Sequence, residues 1–272
     1  MKNIEFTKMV ATGNDFILVD GRDGKTAKKI NDYTRFARVV CLRKRSVGAD
    51  GLLLIENSKK ADIAMRIFNP DGSEVAMCGN GSRCVAYYAA KKGITRKTLS
   101  IDTKAGILKA EVENDVARIG MTQPIILKKK FELEVCDQNI EVAYINTGVP
   151  HVIHFVEDLD AVDVRTLGKA IRFHREFAPE GTNVDFIKVR DRHTILMRTY
   201  ERGVEDETFA CGTGAVASAV IAAEHDYVES PVKIKTWGKE ALYVYFKKIK
   251  NGYKEVFLEG EVKLVYSGVI EA

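Results

Sequence analysis

Cys78-Gly79-Asn80-Gly81-Ser82-Arg83-Cys84-Val85-Ala86-Tyr87-Tyr88-Ala89-Ala90 and Cys211-Gly212-Thr213-Gly214-Ala215-Val216-Ala217-Ser218-Ala219-Val220-Ile221-Ala222-Ala223 share one pattern, 133 positions apart. Each opens on Cys-Gly-x-Gly and runs on into small apolar residues. From Ala215 to Ala223 the second carries no charge at all. A helix that is apolar on every side belongs inside a protein rather than on its surface. Three further pairs keep the same order: Thr12-Gly13 with Thr147-Gly148, Gly48-Ala49-Asp50 with Gly181-Thr182-Asn183, and Met65-Arg66-Ile67-Phe68-Asn69 with Met197-Arg198-Thr199-Tyr200-Glu201. Their offsets of 135, 133 and 132 are close enough to describe one internal duplication with small insertions.

Short runs of period-two alternation, such as 63–67, 107–112 and 152–156, read as strands. Residues 32–42, with Phe36, Val39 and Val40 on one side, and 164–175, with Leu167 and Ile171, read as helices. The fold expected is therefore α+β: two pseudo-symmetric domains, each a barrel-like curved sheet wrapped around one central buried helix. Gly120 and Pro124 interrupt the pattern and put the boundary near 118–124. The domains expected are 1–119 and 120–260, with 261–272 as a strand that could return to the first.

The chain has 272 residues, 46% apolar and 29% charged, with a net charge of +4, which is ordinary for a globular protein. Lys128-Lys129-Lys130 reads as a solvated turn rather than a nucleic-acid patch. No apolar stretch reaches the roughly 18–20 residues a membrane-spanning helix needs. The first residues lack a signal-peptide core, so a cytoplasmic location and reduced thiols are expected. The five cysteines include no Cys-x-x-Cys or Cys-x-x-His spacing. Metal and dithiol-redox readings are weak on that ground, and Cys41, Cys84 and Cys136 read as small core residues.

Cys78 and Cys211 stand apart. A cysteine at a helix start lies beside unpaired N–H groups and the positive end of the helix dipole, which lowers its pKa and favours thiolate. The glycines allow a carboxylate to approach those N–H groups. Two such segments facing each other could hold an amino acid by its α-carboxylate. One thiolate would remove the α-proton from one face while the opposite thiol delivers a proton to the other.

These motifs resemble the diaminopimelate epimerase family over essentially the whole chain. The stretches that carry the resemblance are Gly13-Asn14-Asp15-Phe16, Gly48-Ala49-Asp50-Gly51, 66–74, 77–84, Pro150-His151, Thr182-Asn183, Tyr200-Glu201-Arg202-Gly203 and 210–214. The resemblance implies a cofactor-independent, metal-free isomerase that interconverts LL- and meso-diaminopimelate for lysine and peptidoglycan synthesis, as a homodimer. It implies Cys78 and Cys211 as the acid/base thiols, with His151 and Glu201 tuning them, one near each. Gly79, Asn80, Gly212 and Thr213 would offer N–H groups to the reacting carboxylate, and Glu201 would accept from the reacting ammonium. Asn14, Asn69, Asn183 and Arg202 would hold the distal end.

Each of these has a plainer alternative: His151 as a strand-end histidine bonded to backbone, Glu201 and Arg202 as a surface pair, Asn14 and Asn69 as turn or cap residues. Val149 stands where the family usually has Asn, and Gly51 where some members have Gln. The segment 205–207 is one residue longer than the common spacing. Rival readings are a proline or hydroxyproline racemase of the same fold and a non-catalytic amino-acid-binding protein. A single-cysteine phenazine-type isomerase is disfavoured by the second thiol, and a thiol-disulfide enzyme by the missing Cys-x-x-Cys. Opposed thiols also predict that oxidation links Cys78 to Cys211 and abolishes activity. Peptide mapping of oxidised, inactive protein should find that linkage; its absence would contradict the facing arrangement.

Overall fold

A computed structural model of the chain describes residues 3–271. By their contacts these form two compact units, one of the chain up to Ile119 together with the segment from Gly260, the other Gly120–Glu259. The first unit runs β1 (Asn3–Ala11), β2 (Asn14–Asp20), α1 (Lys25–Lys29), α2 (Tyr33–Val40), β3 (Gly51–Glu56), β4 (Ile63–Phe68), β5 (Glu74–Val75), α3 (Gly79–Lys91), β6 (Thr98–Thr103), β7 (Gly106–Glu113) and β8 (Val116–Gly120). The second runs β9 (Ile125–Val135), β10 (Gln138–Asn146), β11 (Pro150–Phe155), α4 (Val164–Arg172), β12 (Asn183–Asp191), β13 (Thr194–Glu201), β14 (Asp206–Thr208), α5 (Gly212–Glu224), β15 (Val232–Thr236) and β16 (Ala241–Ile249). The long β17 (Gly252–Glu271) begins in the second unit and ends in the first.

The two units repeat one ladder. In the first, β1 pairs antiparallel with β2, β2 parallel with β3, β3 antiparallel with β4, and β4 parallel with β6. In the second, β10, β11, β12, β13 and β15 pair in the same senses. The end of β17 lies antiparallel along β1, from Asn3↔Glu271 to Ala11↔Val262. With β6–β7, β7–β8 and β8–β17 also paired, the sheet of the first unit closes on itself and leaves no free edge.

Burial explains why the strands read as they do. Leu52, Leu53, Leu54 and Ile55 of β3 are all buried, a run that fits a strand covered on both faces. Leu52 and Leu54 join Phe36, Ala37 and Val40 of α2 in one core, while a Cβ at Gly81 of α3 would stand 2.9 Å from Leu53 on the other side. In β12, Val184 and Phe186 pack with Val164 and Ile171 of α4. The alternate residues Asn183 and Asp185 are buried as well and face the other way, toward α5. Every residue from Gly214 to Ala223 is buried, as expected of a charge-free central helix.

Several local expectations need correction. Val39 is 52% exposed, because the buried stripe of α2 follows Phe36, Ala37 and Val40. Lys128-Lys129-Lys130 lies within strand β9 rather than a turn, where the three amines pair with Glu176, Glu224 and Glu141. Cys136 is exposed; with Asp137 it forms the positive-φ centre of the β9–β10 hairpin, at φ 51° and 58°. The helix α1 has no clear apolar period in the sequence. Among the described residues no helix is long and apolar enough to cross a membrane.

The first unit also carries two carboxylates held by cations. Burial alone would raise the Asp15 carboxyl, but hydrogen bonds and charge from Arg43 and Lys8 bring it down to about 2. Arg66, with Lys104, holds Glu74 at about 2. Ordinary values are 3.8 and 4.5, so their stabilisation is complete above those values and is lost as pH falls toward about 2. Urea midpoints measured downward from pH 5 should therefore fall through this window. Glu74→Gln should flatten part of that fall, and an unchanged profile would contradict the assignment.

Candidate active site

In the first unit Cys78 is the N-cap of α3, with extended backbone at φ −142° and ψ 122°, and its Sγ accepts from the Gly81 N–H at 3.4 Å. The neighbouring amides are already engaged. Asn80 donates from Nδ2 to Thr12 O at 3.4 Å and to Asn14 Oδ1 at 2.6 Å, and its Oδ1 accepts from Arg83. Arg83 is fully buried and also donates to Thr12 Oγ1 at 2.8 Å. Asn14 in turn donates to Asp50 Oδ2 at 3.1 Å. The Asn80 side chain has used both its hydrogens, so its backbone N–H is the group a ligand could meet. Thr12 and Gly13, at φ 43° and 79°, form the two-residue turn that delivers Asn14 to this network. Asn69 bonds to Ser73 Oγ at 3.1 Å and opens the turn closed by Gly72.

In the second unit Cys211 caps α5 in the same way, at φ −127° and ψ 117°, and its Sγ accepts from the Gly214 N–H at 3.4 Å. Here a buried polar chain follows. Cys211 Sγ lies 3.3 Å from Thr213 Oγ1, Thr213 Oγ1 lies 3.0 Å from His151 Nε2, and His151 Nδ1 lies 2.7 Å from Asp185 Oδ2. The second Asp185 oxygen accepts from Thr199 Oγ1 at 2.6 Å. His151 and Asp185 are both 0% exposed. The register explains the gathering: His151 sits opposite Asn183 on β12, and Asp185 opposite Thr199 on β13. Period-two alternation then turns Asn183, Asp185, Thr199 and Glu201 to one face. Gly214 permits this close approach, since a Cβ there would collide with the Asp185 carboxylate.

The remaining residues organise the rim. Asn183 donates to Pro150 O at 3.0 Å and accepts from the Arg202 N–H at 2.8 Å, which fixes the chain at Glu201-Arg202. Arg202 Nη1 reaches Glu180 O at 3.4 Å. Thr147 Oγ1 donates to Thr213 O at 3.2 Å. Ahead of the longer 205–207 segment, which runs into β14, the chain turns at 202–205 with the Glu205 N–H bonded to Glu201 O at 2.8 Å.

The two carboxylates shape the Cys211 thiol. Burial pushes the thiol well above its ordinary range, Glu201 and Asp185 push it further, and the hydrogen bonds it shares with Thr213 and the Gly214 N–H only partly oppose them. The helix end therefore does not make Cys211 a thiolate, contrary to the sequence expectation. A helix dipole contributes about 0.3–1 kcal/mol, whereas removing a charge from water costs several kcal/mol, so burial wins. Glu201 is itself raised, chiefly by burial and also by Asp185, against the Thr208 hydrogen bond. Cys41 and Cys84 are buried in the first unit and raised by burial, Cys41 to about 11.

His151 is bonded to two side chains and not to backbone, and both His151 and Glu201 belong to the unit of Cys211. Sequence reading missed Asp185, Thr199 and Thr147. The available signal was an acidic residue two places after Asn183, within the apolar first half of the strand, an inward position. Among the described residues no group of three His, Cys, Asp or Glu side chains is gathered as a metal site.

The chain is similar to known proteins in both fold and sequence. Among solved structures the fold matches a phenazine biosynthesis protein of the PhzF family from Bacillus anthracis, with a TM-score of 0.78, 20% identity and full coverage of both chains. It also matches a probable proline racemase from Agrobacterium radiobacter, with a TM-score of 0.70, 15% identity, and 98% and 93% coverage. The two-repeat fold is thus one shared by racemases and phenazine-pathway proteins. The sequence profile of the diaminopimelate epimerase family matches residues 6–127 and 143–265. Diaminopimelate epimerases from Aquifex aeolicus and Archaeoglobus fulgidus are 43% and 40% identical, covering 97% and 98% of this chain and 97% and 96% of their own. The chain belongs to the diaminopimelate epimerase family, a family of isomerases.

The raised Cys211 thiol makes a direct prediction. In ¹³C NMR of cysteine-labelled protein, the Cys211 Cβ should show no titration up to pH 9. Glu201→Gln should bring its inflection down, because a carboxylate that opposes the thiolate is gone. A Cys211 that titrates near neutral pH in the parent protein would contradict this account.

Proposed function

We propose that this protein interconverts LL-2,6-diaminopimelate and meso-diaminopimelate without a cofactor, using Cys78 and Cys211 as a thiolate and thiol pair. What carries the reading is one repeated arrangement: in each unit a cysteine caps the buried central helix, and its sulfur takes the N–H three residues on at 3.4 Å. The raised Cys211 starts as the protonated partner, and Cys78 supplies the base. The thiolate takes the α-proton, the electron pair of that C–H bond passes into the α-carboxylate, and the Cys211 thiol protonates the carbon from its other face. The two sulfurs have then exchanged protonation states.

N–H groups of Gly79, Asn80, Gly212 and Thr213 hold the reacting carboxylate, where charge builds up during proton removal. His151 and Glu201 tune the thiols, and Glu201 also accepts from the reacting ammonium. Asn14, Asn69, Asn183 and Arg202 hold the distal end, for which Arg supplies a carboxylate clamp and Asn the acceptors for an ammonium. The two repeats act as the N-terminal and C-terminal epimerase domains of a cytoplasmic homodimer, whose partner is a small amino acid and neither nucleic acid nor membrane. The product serves lysine and peptidoglycan synthesis.

Reduced protein incubated with LL-diaminopimelate in D₂O tests the reading by ¹H NMR. Loss of the α-proton signal with appearance of meso isomer is expected. Exchange with proline or hydroxyproline instead would overturn the substrate, and silence with all of them would overturn catalysis in favour of a binding protein.

A further inference from the structure

We propose that Asp185 is a positioning residue that fixes His151 as the Nδ1–H tautomer, so that His151 and Thr213 form a proton store for the Cys211 thiol. The inference rests on the reading of Cys211 as one of the two acid/base thiols. It goes beyond that reading by assigning a direction to every hydrogen bond in the chain and a use to the Thr213 hydroxyl and to Asp185, which lies outside the motifs.

The directions follow from the donors available. Asp185 is 0% exposed and its two oxygens meet two partners, Thr199 Oγ1 at 2.6 Å and His151 Nδ1 at 2.7 Å. Thr199 donates to Oδ1. The other oxygen of a carboxylate is an acceptor too, so the proton of that second contact lies on Nδ1. A neutral imidazole protonated on Nδ1 has a lone pair on Nε2. That lone pair faces Thr213 Oγ1 at 3.0 Å, so the threonine hydroxyl donates to it. Its oxygen is then left with lone pairs, and the Cys211 Sγ stands 3.3 Å away, where a thiol can donate.

The chain is thus polarised from sulfur to carboxylate. When Cys211 must act as the base and Cys78 holds a proton of its own, the Cys211 proton passes to Thr213 Oγ as the threonine proton passes to His151 Nε2. The products are a thiolate, an unchanged hydroxyl and an imidazolium, with no proton gained or lost. The Asp185 carboxylate at 2.7 Å faces the positive charge so formed, and the Gly214 N–H remains on the sulfur at 3.4 Å.

Glu201 of β13 and Asp185 of β12, both acidic, act on Cys211. They resist thiolate formation, so a route that creates a cation beside the thiolate is what offsets them. Lack of a Cβ at Gly214 and the register of three strands hold Asp185 in place. A carboxylate that served packing alone would not need to lie on an imidazole whose other nitrogen points at the thiol's neighbour.

Two measurements decide it. Ring ¹⁵N NMR of histidine-labelled protein at neutral pH should show His151 with its proton on Nδ1 and an unprotonated Nε2. In Asp185→Asn the ring should turn to the Nε2–H form, with kcat down about 10²-fold, the scale of one acid–base group, and KM within about threefold. Thr213→Val keeps the size and removes the hydroxyl, and it should lose kcat on the same scale. Thr213→Ser restores the hydroxyl and should recover at least about tenfold of that loss.

A parent protein whose His151 carries its proton on Nε2 overturns the proposal. So does an Asp185→Asn protein with unchanged kcat, or a serine variant no better than valine. Should Asp185→Asn fail to fold, the parent tautomer and the Thr213 pair still decide. If the parent protein does not epimerise an amino acid at all, the two-thiol reading itself fails, and the tautomer measurement alone then judges the role of Asp185.

Discussion

A helix must satisfy the N–H groups of its first turn, and in both units of this protein the group offered to them is a sulfur. A side-chain oxygen from Ser, Thr or Asp at that position is worth about 1 kcal/mol to a helix. Sulfur is a weaker acceptor, and at 3.4 Å in each unit it makes one long contact. The remaining N–H groups stay available for an anion, and the thiol is held against the place where that anion would sit. The central position of the helix follows from the same requirement. A helix can run through the middle of a curved sheet when it is free of charge, as α5 is from Gly212 to Ala223, or when its charge is bonded internally, as Arg83 of α3 is to Thr12 and Asn80. The sheet and the flanking helices α2 and α4 thus aim two helix starts.

The two starts differ in what surrounds them. In the first copy Asn80, two places after Cys78, is tied to Asn14, Thr12 and the buried Arg83. Around Cys211 the neighbours are acidic, with Glu201 and Asp185 both opposing a negative sulfur. A duplicated chain has thus given its two copies different electrostatics, and a reaction that needs one proton acceptor and one proton donor benefits from that asymmetry. Among the described residues the Asp185 of the second copy is replaced by an apolar residue in the first: a Cβ at Gly214 would meet Asp185, whereas a Cβ at the matching Gly81 would meet Leu53.

Much of this was legible in the sequence. The charge-free run after Cys211 excludes a surface position for that helix, and the repeated Cys-Gly-x-Gly opening extends the same reading to the helix after Cys78. Strands such as 63–67 are plain from period-two alternation. Asp185 was not legible, since Val184-Asp185-Phe186-Ile187 reads as one apolar strand with a single acid, and only the parallel pairing with β11 reveals the histidine beside it. Cys136 was misread because a cysteine in a hairpin turn looks like one in a strand until the positive φ angles are seen. The protonated state of Cys211 depends on burial and on two carboxylates brought from separate strands, neither of which the local motif contains. Closure of the first sheet by β17 is likewise a long-range pairing that local pattern does not encode.

The central claim is that two sulfurs act on opposite faces of one carbon. The most direct measurement follows where solvent deuterium goes during the first few per cent of conversion of LL-diaminopimelate in D₂O. Two opposed thiols require meso product that carries deuterium at the new centre, while unreacted LL substrate still carries its original hydrogen. Product that retains the original hydrogen at that centre would mean one group both removes and returns the proton, and would contradict the account.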